Sequence, residues 1–425
     1  MNLLKTSFYS SISTAITLLS GFVSIKVISV KLGPSGIAQL GQYQNILTLL
    51  LLAGSFSITI GVTKYLSEYT NDVVNQQKII STALFTVFAA SLIIGLFTIF
   101  FSKTLAAGTF NIEEYWKVYA LLGLSLTIMC FNTLMGGVLN GLKEIKKLTI
   151  INVSGSLIGL AITLIMVNYF GVVGALVSSN INGFFLFILN LIVFRKLKLF
   201  SFKLSYKLFD KFYFKLLFSF TIISVITNIV IPINQLLIRS FIIETLSIDQ
   251  AGNWQAMSRI SDYYLIFITT VLGVYFLPKL SELSSNEDLK KEIIQGYKIV
   301  LPIVAIMALV IFLCRVLIIN VVFTQSFLPL KELFLFQMIG DFLKIGSWLL
   351  GYLLVARAKI RQIIILEIVF SLSLYFLNIY FIKIFGLVGT SYAFALNYLL
   401  YWIIIGFVAK HTIFSKENST KMLSS

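Results

Sequence analysis

The chain has 425 residues, of which 58% are hydrophobic and only 12% are charged, and its net charge is +16. Soluble globular proteins carry roughly 25% charged residues, so this composition excludes them and predicts a polytopic membrane protein. Membrane proteins keep an excess of Lys and Arg on their cytoplasmic side. The positive charge is therefore accounted for without a nucleic-acid partner.

Twelve membrane-spanning helices are predicted, because apolar runs long enough to cross a hydrocarbon core about 30 Å thick recur along the whole chain. The first run is followed directly by a second, so we expect it to be a retained helix and not a cleaved signal peptide. The predicted spans are residues 8–31, 37–63, 79–101, 118–140, 148–168, 172–194, 213–238, 252–277, 299–320, 332–355, 362–382 and 387–409.

The distribution of basic residues predicts the orientation of these spans. If the N-terminus is cytoplasmic, the cytoplasmic segments hold 23 of the 33 Lys and Arg residues, and the opposite side holds seven. Cytoplasmic loops carry the larger share of basic residues in membrane proteins. We therefore expect both termini to lie in the cytoplasm.

The two halves of the chain resemble each other. Residues Phe170, Gly171, Gly174 and Asn182 match Phe385, Gly386, Gly389 and Asn397 at an offset of 215. Two further matches support this repeat: QLGQYQ at 39–44 aligns with QAGNWQ at 250–255, and Lys143 and Lys147 fall on Arg357 and Arg361 at an offset of 214. Each half has an even number of helices, so the repeat is parallel, and such transporters place their substrate path between the halves.

The predicted fold class is therefore all-α, with 12 transmembrane helices in two six-helix lobes related by a parallel pseudo-two-fold repeat. The N-terminal lobe is expected at residues 1–196 and the C-terminal lobe at 213–411. A basic cytoplasmic linker, 197–212, joins them, and a short cytoplasmic tail, 412–425, follows.

Polar residues inside the spans predict a polar lumen, since a charge within a span costs roughly 2.5–3.5 kcal/mol. The helical spacings i, i+4 and i+7 place three such residues on one face of each of two helices. These stripes are Gln255, Arg259 and Asp262 in the eighth helix, and Gln337, Asp341 and Lys344 in the tenth. The alternative is that Arg259–Asp262 and Asp341–Lys344 are closed structural ion pairs.

Neutral polar groups form further stripes. The first helix carries hydroxyl groups at Ser13, Thr17, Ser20 and Ser24, and Gln39, Gln42 and Asn45 share a face at the start of the second. The amides Asn253 and Gln255 mirror the latter group in the eighth helix. Neutral donors and acceptors there suit a hydroxyl-rich ligand such as a sugar, although an ordinary polar helix start is the competing interpretation.

The chain resembles the multidrug/oligosaccharidyl-lipid/polysaccharide flippase superfamily over nearly its whole length. The resemblance lies in the two six-helix halves, in LGPSGIAQLGQYQ after the first helix and in FGVVGA before the sixth. Within the superfamily, the segments LGPSG at 32–36 and GQYQ at 41–44 are most similar to the O-antigen and enterobacterial common antigen flippases.

This resemblance implies a substrate, an undecaprenyl-diphosphate-linked oligosaccharide, that moves by alternating access from the cytoplasmic to the periplasmic leaflet of a bacterial inner membrane. It implies a cationic cavity for the diphosphate, for which the chain offers Lys26, Arg239, Arg259 and Lys344. The sugars would meet the amides Gln39, Gln42, Asn45, Asn253, Gln255 and Gln337. Asp262 and Asp341 would be cavity acids, and a polysaccharide polymerase and a chain-length regulator would be partners alongside membrane lipids.

No enzymatic function is predicted. The chain lacks a G-x-x-x-x-G-K-[ST] phosphate loop, and no nucleophile–base pair stands out, so we expect no cofactor. His411 is the only histidine, which excludes a His-based metal site. The alternatives are an ion-coupled drug or cation exporter of the same fold that uses Asp262 and Asp341, a peptidoglycan-precursor flippase, and a membrane glycan polymerase or ligase. The short outer loops argue against the last.

Overall fold

The computed structural model describes residues 3–70, 72–110, 112–195, 208–283 and 285–414, and within these ranges the chain is helical and without strands. The helices are α1 Leu3–Ser55, α2 Thr59–Glu68, α3 Val73–Phe100, α4 Ser102–Phe110, α5 Trp116–Gly141, α6 Ile145–Arg195, α7 Lys211–Thr245, α8 Ile248–Val271, α9 Leu277–Glu282, α10 Asn286–Leu313, α11 Arg315–Val322, α12 Phe334–Ala356, α13 Ile360–Phe385 and α14 Val388–Phe414. A π-helical turn at Leu272–Phe276 joins α8 to α9.

Two of these helices, α1 and α6, each cover two of the predicted spans. Helix α1 has 53 residues and α6 has 51, so at 1.5 Å per residue each is about 80 Å long, far more than a bilayer needs. Each contains one residue outside the helical region: Gly33 with φ 65° and ψ −165°, and Gly171 with φ 55° and ψ −131°. These dihedrals are available almost only to glycine, so the chain changes direction there.

The described helices confirm the predicted fold class. Among the described residues, eight helices are long and apolar enough to cross a membrane, including the double helices α1 and α6. Counting each double helix twice and adding α7 and α8 gives one helical segment for every predicted span. Helix α8 is less apolar than these eight, because it carries the polar stripe of Gln255, Arg259 and Asp262.

The largest differences from the predicted span boundaries lie in the second and ninth spans. The predicted second span runs to residue 63, but α1 ends at Ser55 and α2 begins at Thr59. Between them Phe56 and Ser57 have positive φ angles of 49° and 50°, and the amide of Ser57 donates to Oγ of Ser55. The predicted ninth span begins at 299, whereas α10 begins at Asn286 because Ser285 caps it there.

The backbone of the two halves repeats at the predicted glycines. Gly171 and Gly386 have nearly the same dihedrals, φ 55° and ψ −131° against φ 61° and ψ −144°. Three residues later, a Cβ on Gly174 would overlap the carbonyl of Met166, and one on Gly389 would overlap that of Phe381. Both halves therefore enter their last helix through the same turn, which only glycine permits at these positions.

A second shared turn corrects the predicted register of the basic residues. Lys143 and Ala358 both have positive φ, 60° and 51°, and each follows the end of a helix. In both turns this residue's amide donates to the carbonyl oxygen three residues back, and the amide of the next residue donates to the carbonyl oxygen five residues before it. The structural offset is thus 215, and the predicted offset of 214, which set Lys143 on Arg357, is wrong.

The chain divides into two compact units. The first comprises Met1–Arg239 and Val321–Thr324, and the second comprises Ser240–Asn320 and Gln325–Ser425. The core of the first unit packs α2, α3 and α5 around residues such as Leu66, Val87 and Leu134, and that of the second packs α12, α13 and α14 around Leu354, Phe370 and Ile405. Most of the predicted linker lies outside the described residues, so the predicted lobe boundaries stay predictions.

Candidate substrate site

Two predicted site residues of the first unit are in direct contact. The guanidinium of Arg239 on α7 is fully buried, and its Nη1 donates a hydrogen bond of 3.0 Å to Oε1 of Gln42 on α1. Gln42 is 2% exposed. Burying a cation is costly unless it is hydrogen-bonded. In this structure the side-chain oxygen of Gln42 therefore binds Arg239 of the protein itself and not a ligand.

Tyr43, in the same segment, joins two helices of the first unit. Tyr43 is buried in the core of the first unit beside Tyr119, and its hydroxyl donates to Oδ1 of Asn180 on α6 at 3.0 Å. Asn45 is buried and Gln39 is half-buried. Asn180 was not predicted as a site residue, although its position two residues before the repeated Asn182 was a possible signal.

Lys26 contacts the polypeptide backbone. Its ammonium donates to the carbonyl oxygen of Phe323 at 2.5 Å. The hydroxyl group of Ser29, one helical turn away, donates to the carbonyl oxygen of Val322 at 3.3 Å. These bonds belong to the first unit, which includes the segment Val321–Thr324. Lys26 is half-buried.

The second unit contains a fully buried carboxylate. Asp341 on α12 accepts hydrogen bonds from the hydroxyl groups of Ser261 at 2.7 Å and Tyr264 at 2.8 Å, both on α8. Nε2 of Gln337, one helical turn away, lies 3.2 Å from Oγ of Ser261 and 3.4 Å from the carboxylate. Gln337 and Asp341 thus meet as their spacing predicts. Ser261 and Tyr264 were missed, because they flank the more conspicuous Asp262.

The ammonium of Lys344 lies among aromatic rings. Its Nζ is 5.0 Å from the ring centroid of Trp348, 5.8 Å from that of Tyr398 and 6.0 Å from that of Phe394. We call these three residues the aromatic box. A cation within about 6 Å of a ring centroid is attracted by the quadrupole of the ring. The box was not predicted, because its members come from two helices and aromatic residues are common throughout the apolar runs.

The two closed ion pairs considered as an alternative do not form in the described part of the second unit. Neither Asp341–Lys344 nor Arg259–Asp262 is joined at an N–O distance of 4 Å or less. In the first unit, by contrast, Lys64–Glu68 and Lys78–Asp210 are joined at 3.6 Å and 3.4 Å. Asp262 is exposed and Arg259 is half-buried. Neither pair is therefore closed in the described residues, and the roles of these four side chains stay predictions.

The remaining predicted amides, Asn253 and Gln255, are buried on α8, at 3% and 6% exposure. No group of three or more His, Cys, Asp or Glu side chains that could hold a metal ion occurs among the described residues. What the helices carry instead are cations, neutral amides and aromatic rings. Such a set can bind an anion and the hydroxyl groups of a sugar.

The fold is that of known transporters. The chain aligns with an inward-facing multidrug resistance MATE family transporter of the MOP superfamily with a TM-score of 0.80 and 14% identity, over 93% of this chain and 94% of that one. A MOP superfamily transporter from Pyrococcus furiosus aligns with a TM-score of 0.71 and 15% identity, over 96% and 95% of the two chains. At these identities the likeness shows the fold alone.

Sequence comparison gives a more specific relationship. The chain is 27% identical over 402 residues to the lipid III flippases of Escherichia coli (strain K12) and Shigella flexneri, which covers 95% of this chain and 97% of each relative. Residues 9–332 match the family described as polysaccharide biosynthesis protein. Since that match spans more than half of the chain, the protein belongs to the polysaccharide biosynthesis protein family.

Proposed function

We propose that this chain is a flippase that moves an oligosaccharide linked to undecaprenyl diphosphate from the cytoplasmic to the periplasmic leaflet of a bacterial inner membrane. The observation that carries the proposal is the similarity to proteins named lipid III flippases, which extends over 95% of the chain. A flippase changes the position of its substrate and makes or breaks no covalent bond. The chain is thus a transporter and not an enzyme.

Polar groups within the membrane helices support this function on physical grounds. A diphosphate and its sugars cannot cross hydrocarbon unaided, because burying charged and polar groups without partners is costly. Amides, hydroxyl groups and cations on the helices supply those partners. Export of an anion from a negative interior is also favoured by about 2.3 kcal/mol per charge for each 100 mV of membrane potential. The alternating-access mechanism stays a prediction.

Lys344 is our first candidate for a diphosphate contact. Its ammonium has no carboxylate within 4 Å in the described second unit, so its charge is not neutralised by a close ion pair. The aromatic box holds it in place while leaving its donors able to bind phosphate oxygens. Lys26, Arg239 and Arg259 are the further candidates, and the sugar contacts proposed for Gln39, Asn45, Asn253, Gln255 and Gln337 follow from the same reasoning.

Substitution of Lys344 tests this assignment. We expect Lys344→Met to lower glycan export at least tenfold at equal protein level, because the positive charge is lost. Lys344→Arg keeps that charge and should retain more activity. Lys64→Met is the matched control, since Lys64 is an exposed lysine paired with Glu68. Wild-type export by Lys344→Met would overturn the assignment without affecting the proposed substrate.

The substrate itself can be tested by native mass spectrometry of protein purified gently from its own membranes. We expect a bound mass equal to undecaprenyl diphosphate plus a defined oligosaccharide. If only phospholipids are bound, and vesicles with an ion gradient take up a cationic drug, the chain is an exporter and the proposal is wrong. Contacts with a polymerase and a chain-length regulator, and the cytoplasmic position of both termini, complete the proposal.

A further inference from the structure

A polar cavity of about 210 Å³ lies in the first unit, between α1 and α6. One wall is formed by Thr17, Ser20 and Ser24, which are three of the four residues in the hydroxyl stripe predicted for the first helix. The facing wall comes from both halves of α6 and includes Ser156, Thr163 and Asn182. We call this space the hydroxyl cavity.

The walls of the hydroxyl cavity have unused hydrogen-bonding capacity. Hydroxyl groups in helices commonly bond to a carbonyl three or four residues back, as Thr48 does at 2.7 Å and Thr98 at 2.8 Å. By contrast, the hydroxyl groups of Ser20, Ser24 and Thr163, which line the cavity, make no hydrogen bond with any part of the chain that the structure describes. Ser20 is nevertheless only 7% exposed.

The amide of Asn182 adds a buried acceptor. Its Oδ1 is buried and has no hydrogen-bond partner among the described residues. Gly159 lies opposite, and a Cβ there would stand 2.8 Å from Nδ2 of Asn182. The absence of a side chain at Gly159 therefore leaves room for the amide of Asn182. Leaving a buried polar group without a hydrogen bond is energetically costly. Both walls thus present groups that a ligand could satisfy.

The chemistry of the lining excludes several ligand classes. The lining residues are Ser, Thr, Gly, Leu and Asn only, so the cavity offers no charge to hold a cation or a phosphate and no group that titrates. An isoprenoid or acyl chain would leave the hydroxyl groups unsatisfied. What fits is a neutral ligand with hydroxyl groups on all sides. At about 30 Å³ per water, the volume equals roughly seven waters, which suits a single ring.

We propose that the hydroxyl cavity binds one sugar ring of the transported glycan. The proposal rests on the proposed function, because the transported lipid supplies the sugar. It deepens that function by separating the recognition of sugar, by uncharged hydroxyl and amide groups of α1 and α6, from the recognition of the diphosphate by cations. It also gives the sugar a partner other than Gln42, whose amide is bonded to Arg239.

Two lipid probes distinguish a sugar site from a general effect on binding. One is undecaprenyl diphosphate without sugar, and the other is the lipid-linked oligosaccharide fraction extracted from the bacterium's own membranes. Binding of each is titrated by native mass spectrometry to the full-length wild type and to variants. Ser20→Leu and Thr163→Leu fill the cavity, and Thr48→Leu is the matched control on an exposed face of α1. Ser20→Ala and Thr163→Val remove only hydroxyl groups and serve if the larger substitutions prevent folding.

We expect the cavity variants to bind the glycan-bearing lipid at least tenfold more weakly than Thr48→Leu does, with binding of sugar-free undecaprenyl diphosphate unchanged. Unchanged binding of the glycan-bearing lipid would overturn the sugar site, and so would an equal loss for both probes. A wild-type chain that binds neither probe would contradict the proposed function itself, and the sugar site with it.

Discussion

The guanidinium of Arg239 donates a hydrogen bond of 3.0 Å to the side-chain amide oxygen of Gln42, and both side chains are buried. An amide oxygen satisfies a donor of the guanidinium without cancelling its charge. This contact therefore preserves a positive charge inside a set of membrane helices. Such charges are rare within membranes and commonly mark functional sites.

Replacing Gln42 should destabilise the first unit. We expect Gln42→Ala to lower the free energy of unfolding by about 1.5–3 kcal/mol, the usual range for hydrogen bonds to charged groups. The unfolding temperature of the purified protein in detergent measures this loss. Gln39→Ala is the control, since Gln39 lies in the same helix and its Oε1 has no hydrogen-bond partner in the described residues. Equal melting of the two variants would contradict the role given to Gln42.

The buried carboxylate of Asp341 should be energetically coupled to Tyr264. Their hydrogen bond is 2.8 Å long and lies within the second unit. In a double-mutant cycle of Tyr264→Phe and Asp341→Asn, we expect a coupling energy in the range of about 0.5–3 kcal/mol, as found for residues in one network. Thermal unfolding of the four proteins gives this quantity. Strict additivity would show that the hydroxyl does not stabilise the carboxylate.

A side chain at the turn glycine Gly386 should be destabilising because of the backbone conformation there. At Gly386 a Cβ would stand in open space, with no atom within 4 Å of it. The cost of Gly386→Ala therefore comes from its positive φ alone, and we expect about 1–3 kcal/mol. Gly351→Ala is the matched control, because Gly351 is helical and its Cβ would make an ordinary 3.7 Å contact with Ile405. If both variants melt alike, the positive φ is not costly.

Acid should weaken the start of α3. Asp72, outside the predicted spans, caps this helix by accepting the amide hydrogen of Asn75 at 3.0 Å, and that bond lowers the pKa of its carboxyl group. The pKa is lower in the folded state, so the stabilisation is present above the unfolded pKa, about 3.9, and is lost as pH falls through the folded value. Hydrogen-exchange protection of the first turn of α3 should fall below pH 4, and this dependence should vanish in Asp72→Asn.

The sequence allowed the fold to be predicted well, because hydropathy marks membrane helices directly. The glycine repeat was equally accessible, since Gly171 and Gly386 occupy a conformation that few other residues adopt. Helix ends were less predictable. The α10 helix starts 13 residues before its apolar span, because a capped, charged segment continues a helix without any hydrophobic signal.

The candidate site could be predicted only in part. Spacing along one helix brought Gln337 and Asp341 together, but partners from other helices, such as Tyr264 for Asp341 and Tyr398 for Lys344, depend on packing that no single segment encodes. The hydroxyl stripe of the first helix was visible in the sequence. Its meaning was not, because the facing wall of the cavity lies more than 130 residues away in the chain.

The central claim is transport of a lipid-linked oligosaccharide, and its most direct test is a flipping assay in proteoliposomes. The purified chain is reconstituted with a fluorescent glycan on undecaprenyl diphosphate, and a membrane-impermeant quencher reports the fraction in the outer leaflet over time. We expect the chain to speed exchange at least tenfold over protein-free vesicles and to leave labelled phosphatidylcholine in place. Exchange no faster than in protein-free vesicles, with a control transporter active in the same preparation, would contradict the proposed function.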